Sequence, residues 1–158
     1  MRLNDLMFLE GKWSGQGVAE YPTINNCEYS EQLIFEYDKS KNVIFYIQRT
    51  KFLEATKSAD TLHLESGFMK LNDEGSIELS NSQNNGRVEV LTLKEITIDG
   101  GETKVLFTSK LFGNDPRMVR TEREYILHGD SLSYVMKMAT VNNNSLKTHL
   151  KAELKRDF

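Results

Sequence analysis

Near the C-terminus, Leu132, Tyr134, Met136 and Met138 alternate with Ser133, Val135, Lys137 and Ala139. A period of two gives a segment two unlike faces, which marks a strand lying between an interior and a second environment. Segments 33–37, 43–52, 88–98 and 104–112 have strand length and are rich in β-branched and aromatic residues. Turn signals recur between such segments: Asp38-Lys39-Ser40-Lys41-Asn42, Asp73-Glu74-Gly75, Asn84-Asn85-Gly86, Asp99-Gly100-Gly101, Gly113-Asn114-Asp115-Pro116, Gly129-Asp130 and Asn142-Asn143-Asn144-Ser145. Each holds Gly, Asn or Asp, which tolerate the positive φ of tight turns. The pattern predicts an all-β fold of roughly ten strands, an antiparallel meander closing into a barrel.

Helix is scarce. A short helical turn is predicted over 4–9, with Asn4 or Asp5 as cap and Leu6 and Leu9 as its apolar side. The stretch 145–156 reads two ways. Leu146, Leu150 and Leu154 fall at i, i+4, i+8, yet the same leucines fit a strand together with Thr148 and Ala152.

Composition narrows the function classes. A hydrophobic content of 39% is too high for disorder, and 158 residues suit one domain over 1–158. The net charge of -3 argues against a nucleic-acid partner, which calls for a basic face. No apolar run approaches the roughly 20 residues of a membrane-spanning helix. Acidic Asp5 comes too early for a signal peptide, and the single cysteine, Cys27, cannot form an internal disulfide. A cytoplasmic location is the expectation.

A small barrel either fills its interior or keeps a cavity for one ligand. Residues 43–48 put apolar and polar groups on one potential inner face, and Met118, Met136 and Met138 offer adaptable thioethers. Methionines are more often core filler, so they do not establish a cavity. His63 and Glu65 share a strand face, a carboxylate–imidazole pair that needs a third ligand to hold zinc. His128 falls at a turn and is expected to be exposed. In a regular strand His149 shares its face with Lys151, Glu153 and Lys155, away from Leu150, Ala152 and Leu154. Turning it inward requires the strand mouth or a bulge.

Gly11-Lys12-Trp13-Ser14-Gly15-Gln16-Gly17, followed by Tyr21-Pro22-Thr23-Ile24, resembles the signature of the nitrobindin family, haem-binding β-barrels related in shape to fatty-acid-binding proteins and lipocalins. The glycines allow close backbone approach at a barrel corner, and Trp13 plugs one end of the core. Four further blocks match in family order: 46–50, 62–68, Gln83 with Gly86, Val88 and Glu89, and 138–140 with 149–154. Asn25-Asn26-Cys27-Glu28, Phe52 and Lys70 depart from the family's usual residues, and no proline precedes His149.

The resemblance implies one haem b per chain, with His149 as its iron ligand and His63 on the open side of the pocket. It further implies that Thr23, Leu62, Gln83, Met118 and Met138 line the pocket, with Arg123 and Tyr125 serving the barrel wall. The implied activity is isomerisation of peroxynitrite to nitrate at ferric iron, with nitric oxide binding at the same site. The expected partners are these small molecules, with no nucleic acid and no membrane, and a homodimer is an assembly to test. The competing class is a non-haem carrier of a lipid or other apolar ligand. A third is a regulatory domain read by a partner.

Overall fold

The computed structural model describes residues 2–20, 25–54 and 60–158. Ten antiparallel strands form a closed barrel: β1 Gly11–Ala19, β2 Cys27–Asp38, β3 Val43–Phe52, β4 Thr61–Leu71, β5 Ile77–Gln83, β6 Val88–Asp99, β7 Glu102–Phe112, β8 Met118–His128, β9 Ser131–Thr140 and β10 Asn143–Asp157. Each strand pairs with the next, and β10 pairs with β1 to leave no open edge. Tight turns of the described connections use residues that accept positive φ; Asn42 takes φ 51 and Gly86 φ 86. Among the described residues no helix is long and apolar enough to cross a membrane.

The ambiguous stretch 145–156 is strand, because β10 must close the ring between β9 and β1. Its asparagine-rich start is also strand. The turn before it falls at residues 141–142, and β10 begins at Asn143. The N-terminal turn is a 3-10 helix over Leu3–Leu9. Its cap position is Arg2 rather than Asn4 or Asp5; Asp5 instead accepts the Arg2 backbone N–H at 2.8 Å.

That helix seals one end of the barrel by burying Leu3, Leu6 and Leu9. Fully buried Trp13 lies against it and donates its indole N–H to Leu9 O at 2.9 Å. Arg156 stacks 4.1 Å from the centre of the Trp13 ring. Leu33, Phe35, Ile44, Tyr46 and Tyr125 continue this core, each burial worth roughly 1.5–3 kcal/mol. Strands cross closely at Gly15, where an added Cβ would lie 2.0 Å from Glu153 O. Because one end is plugged and packed, any large space lies towards the other end, where β10 begins.

Candidate functional site

That other end contains a cavity of 550 Å³. Such a volume falls within the roughly 300–1,000 Å³ typical of small-molecule and cofactor sites. Met118, Met136 and Met138 supply its apolar wall from β8 and β9. His63, Gln83 and His149 reach it from β4, β5 and β10. Asn85, Arg87, Arg117, Thr140, Asn142 and Asn143 form its rim, on or beside the connections that cluster at this end.

His149 turns inward through a bulge. Thr148 pairs with Lys137 of β9 and Leu150 with the adjacent Met136, so His149 is the extra residue. A bulge resets the in–out alternation, and His149 and Leu150 are consequently both buried. The imidazole Nδ1 lies 3.0 Å from Lys147 O. A carbonyl can only accept, so Nδ1 carries the proton and the lone pair falls on Nε2, the tautomer of a metal-binding histidine. Burial lowers the His149 pKa; the bond to Lys147 O opposes this, and the Arg87 charge adds to the lowering. The neutral ring is thereby favoured.

His63 opens a buried polar network beneath the cavity. Its Nε2 lies 2.7 Å from Glu65 Oε2, while Glu65 Oε1 accepts from Tyr46 OH at 2.7 Å and Arg123 Nη1 at 3.0 Å. Arg123 Nη2 donates to Glu89 Oε1, and Glu89 also accepts from Thr121, Asn81 and Gln83. Gln83 returns the chain to the cavity lining. Burial would raise the Glu65 pKa, but the Arg123 guanidinium and the hydrogen bonds from His63 and Tyr46 hold it at about 2. An ionised carboxylate only accepts, so His63 Nε2 is the protonated nitrogen of that pair. Glu31 shows the opposite outcome. Burial pushes its pKa up to about 7, although Gln48 donates to its Oε1 at 2.8 Å.

Residues 2–156 match the family described as "THAP4-like, heme-binding beta-barrel domain". The chain belongs to this family, the nitrobindins. It is 40% identical to "Peroxynitrite isomerase Rv2717c" of Arabidopsis thaliana over 94% of this chain and 85% of that protein. It is 31% identical to "Peroxynitrite isomerase 2" of Mycobacterium ulcerans over 98% of this chain and 94% of that protein. The crystal structure of Rv2717c from M. tuberculosis superposes with a TM-score of 0.83 at 28% identity, covering 99% of this chain and 97% of that one.

In this nitrobindin the fold brings five of the expected pocket residues together: His149, His63, Gln83, Met118 and Met138 all line the cavity. Thr23 lies outside the described residues. Leu62 is not among the described residues that line the cavity. It is the extra residue of a second bulge, where Thr50 pairs with His63 and Lys51 with Thr61, and it packs half-buried at the margin of the core. Arg123 does more than build the wall, since it is the cation of the buried network. Sequence reasoning missed Glu31, Gln48, Asn81, Glu89 and Thr121, yet a signal was present. Glu31 shares parity with Tyr29, Leu33 and Phe35, as Glu89 does with Leu91 and Leu93. It missed the rim arginines too.

The residues present fit a haem. The wall is thioether-rich, and one buried histidine has the ligating tautomer. Among the described residues no three of His, Cys, Asp and Glu cluster to hold a metal ion, so His63 and Glu65 remain a pair.

Proposed function

We propose that this nitrobindin holds one haem b in the cavity and isomerises peroxynitrite to nitrate, binding nitric oxide at the same position. The observation that carries the reading is the β10 bulge, which turns His149 into the cavity with its Nδ1 hydrogen-bonded to a backbone carbonyl. Family membership and the relatives named peroxynitrite isomerases support it. When bound, ferric haem supplies the redox-active centre at which a nitrogen oxide is held and rearranged.

The chain's own residues bind, orient and exclude. His149 offers Nε2 to iron, and the Lys147 carbonyl fixes the ring's orientation and raises its basicity. Met118, Met136 and Met138 would give a bound haem an adaptable apolar wall and exclude water from the cavity. His63 is held by Glu65, so its ring has a defined orientation on the cavity surface. Rearrangement to nitrate needs no net proton transfer, which suits a site without an Asp or Glu among its described lining residues.

The test is to add haemin to the haem-free protein and then mix the ferric form with peroxynitrite in a stopped-flow instrument. A Soret band that is lost in His149→Ala, with peroxynitrite decay faster than in buffer, is the expected result. Haem uptake with decay no faster than buffer sinks the isomerase and leaves a nitric-oxide binder. No haem uptake at all favours the non-haem carrier.

A further inference from the structure

The cavity mouth carries a charge pattern that the proposed reaction does not use. Arg87 and Arg117 both line it, and no Asp or Glu stands among the described lining residues, in a chain of net charge -3. Both arginines share one counter-ion. Asp115 Oδ2 accepts from Arg87 Nε at 3.2 Å and Nη2 at 2.9 Å, and from Arg117 Nη2 at 3.0 Å, while Asp115 Oδ1 accepts from Arg117 Nε at 3.0 Å. Two guanidiniums against one carboxylate leave the group with one positive charge.

Its Arg87–Asp115 half is built into the fold, whereas the Arg117 side chain is 71% exposed. The Arg87 side chain is only 10% exposed. The loop holding Asp115 is tied to the β5–β6 hairpin by Asn114, which donates to Gly86 O and accepts from Val88 N, and by Gly113 N donating to Val88 O. Two of Arg87's nitrogens face Asp115, and Nη1 makes no hydrogen bond to a described residue. Inward of this lip lie the thioethers of Met118, Met136 and Met138. A single net positive charge at the mouth of an apolar pocket matches an amphipathic monoanion, and the Arg87 Nη1 left over from Asp115 can donate to a carboxylate oxygen.

We propose that Arg87, assisted by Arg117, forms a carboxylate-binding subsite that orients an amphipathic acid whose apolar body lies among the three methionines. The acid is a propionate if the occupant is haem and a fatty-acid head group if it is a lipid. The subsite rests on occupancy of the cavity, not on iron.

The test uses the metal-free pair protoporphyrin IX and its dimethyl ester, followed by porphyrin fluorescence, and the pair palmitate and methyl palmitate, followed by calorimetry. In at least one pair the wild type is expected to bind the acid about tenfold or more tighter than the ester. Arg87→Gln reduces that preference to about twofold or less without changing ester affinity, and Arg87→Lys restores part of it. Asp115→Asn removes the competing carboxylate and keeps or increases the preference. A merely structural clamp predicts otherwise, with Arg87→Gln and Asp115→Asn weakening acid and ester alike, and that result overturns the subsite. Equal binding of acid and ester by the wild type in both pairs, or no binding of either pair, overturns it as well. A preference confined to palmitate sustains the subsite while counting against haem. Haemin bound through His149 with no preference for free acids does the reverse.

Discussion

Arg123 shows what a single charged residue does inside a barrel. Its guanidinium is buried between Glu65 and Glu89 and also donates to Tyr134 OH. Burying any of these charges alone is costly, and the arrangement persists because each is paired and hydrogen-bonded. Arg123→Met keeps the bulk and removes the cation, leaving two carboxylates buried without their partner. The expected loss is about 3–5 kcal/mol in urea unfolding at pH 7, more than a surface arginine gives. A loss below about 1 kcal/mol would show that water enters the interior and solvates the carboxylates. His149 depends on its surroundings in a different way, since its usefulness lies in a tautomer set by the Lys147 carbonyl.

At the level of elements, the bulge in β10 matters most. In β10 the register slips by one between Thr148 and Leu150, and that slip alone places His149 inside. Deleting Thr148 removes the bulge, so His149 takes the pairing opposite Lys137 and faces out. Far-UV circular dichroism is expected to retain the barrel, while added haemin gives no His149-dependent Soret band. A normal Soret band in the deletion variant would mean that another side chain holds the iron. In β4 His63 faces inward by plain alternation with Glu65, Gly67 and Met69, and the slip there falls one residue earlier, at half-buried Leu62. Bulges at barrel rims commonly re-aim side chains, and here the one in β10 acts on His149.

The whole barrel joins an apolar plug, a buried ionic layer and an open cavity, and its stability has a distinctive dependence on pH. Glu31 has its pKa raised to about 7, so between 4.5 and 7 the folded state holds a proton that the unfolded chain releases. Its contribution is fully present below about 4.5 and is lost as pH rises through 7. Glu65, held at about 2, contributes above 4.5 and loses that contribution as pH falls towards 2. Glu31→Gln is therefore expected to match the wild type at pH 4 and to be more stable at pH 8, by up to about 3 kcal/mol. Thermal unfolding across this range would show the difference, and parallel curves for the two proteins would count against the assignment.

Much of this was legible in the sequence. The alternation of 132–139, the spaced turns and the 43–52 strand predicted an antiparallel barrel, because a period of two and positive-φ turn residues are local properties. Motif resemblance placed His63, Gln83, Met118, Met138 and His149 at one pocket, and they meet there. Local pattern could not decide the facing of His149, since parity depends on a bulge that exists only relative to β9. The ion pairs of Arg123 are not local either, and only closure of the barrel brings it together with Glu65 and Glu89, 58 and 34 positions away. The rim arginines likewise share Asp115 only because neighbouring connections converge at the open end. Sequence by itself determined the strands and named most of the pocket. Tertiary register decided which side chains face it, because orientation in a sheet is a property of paired strands rather than of one.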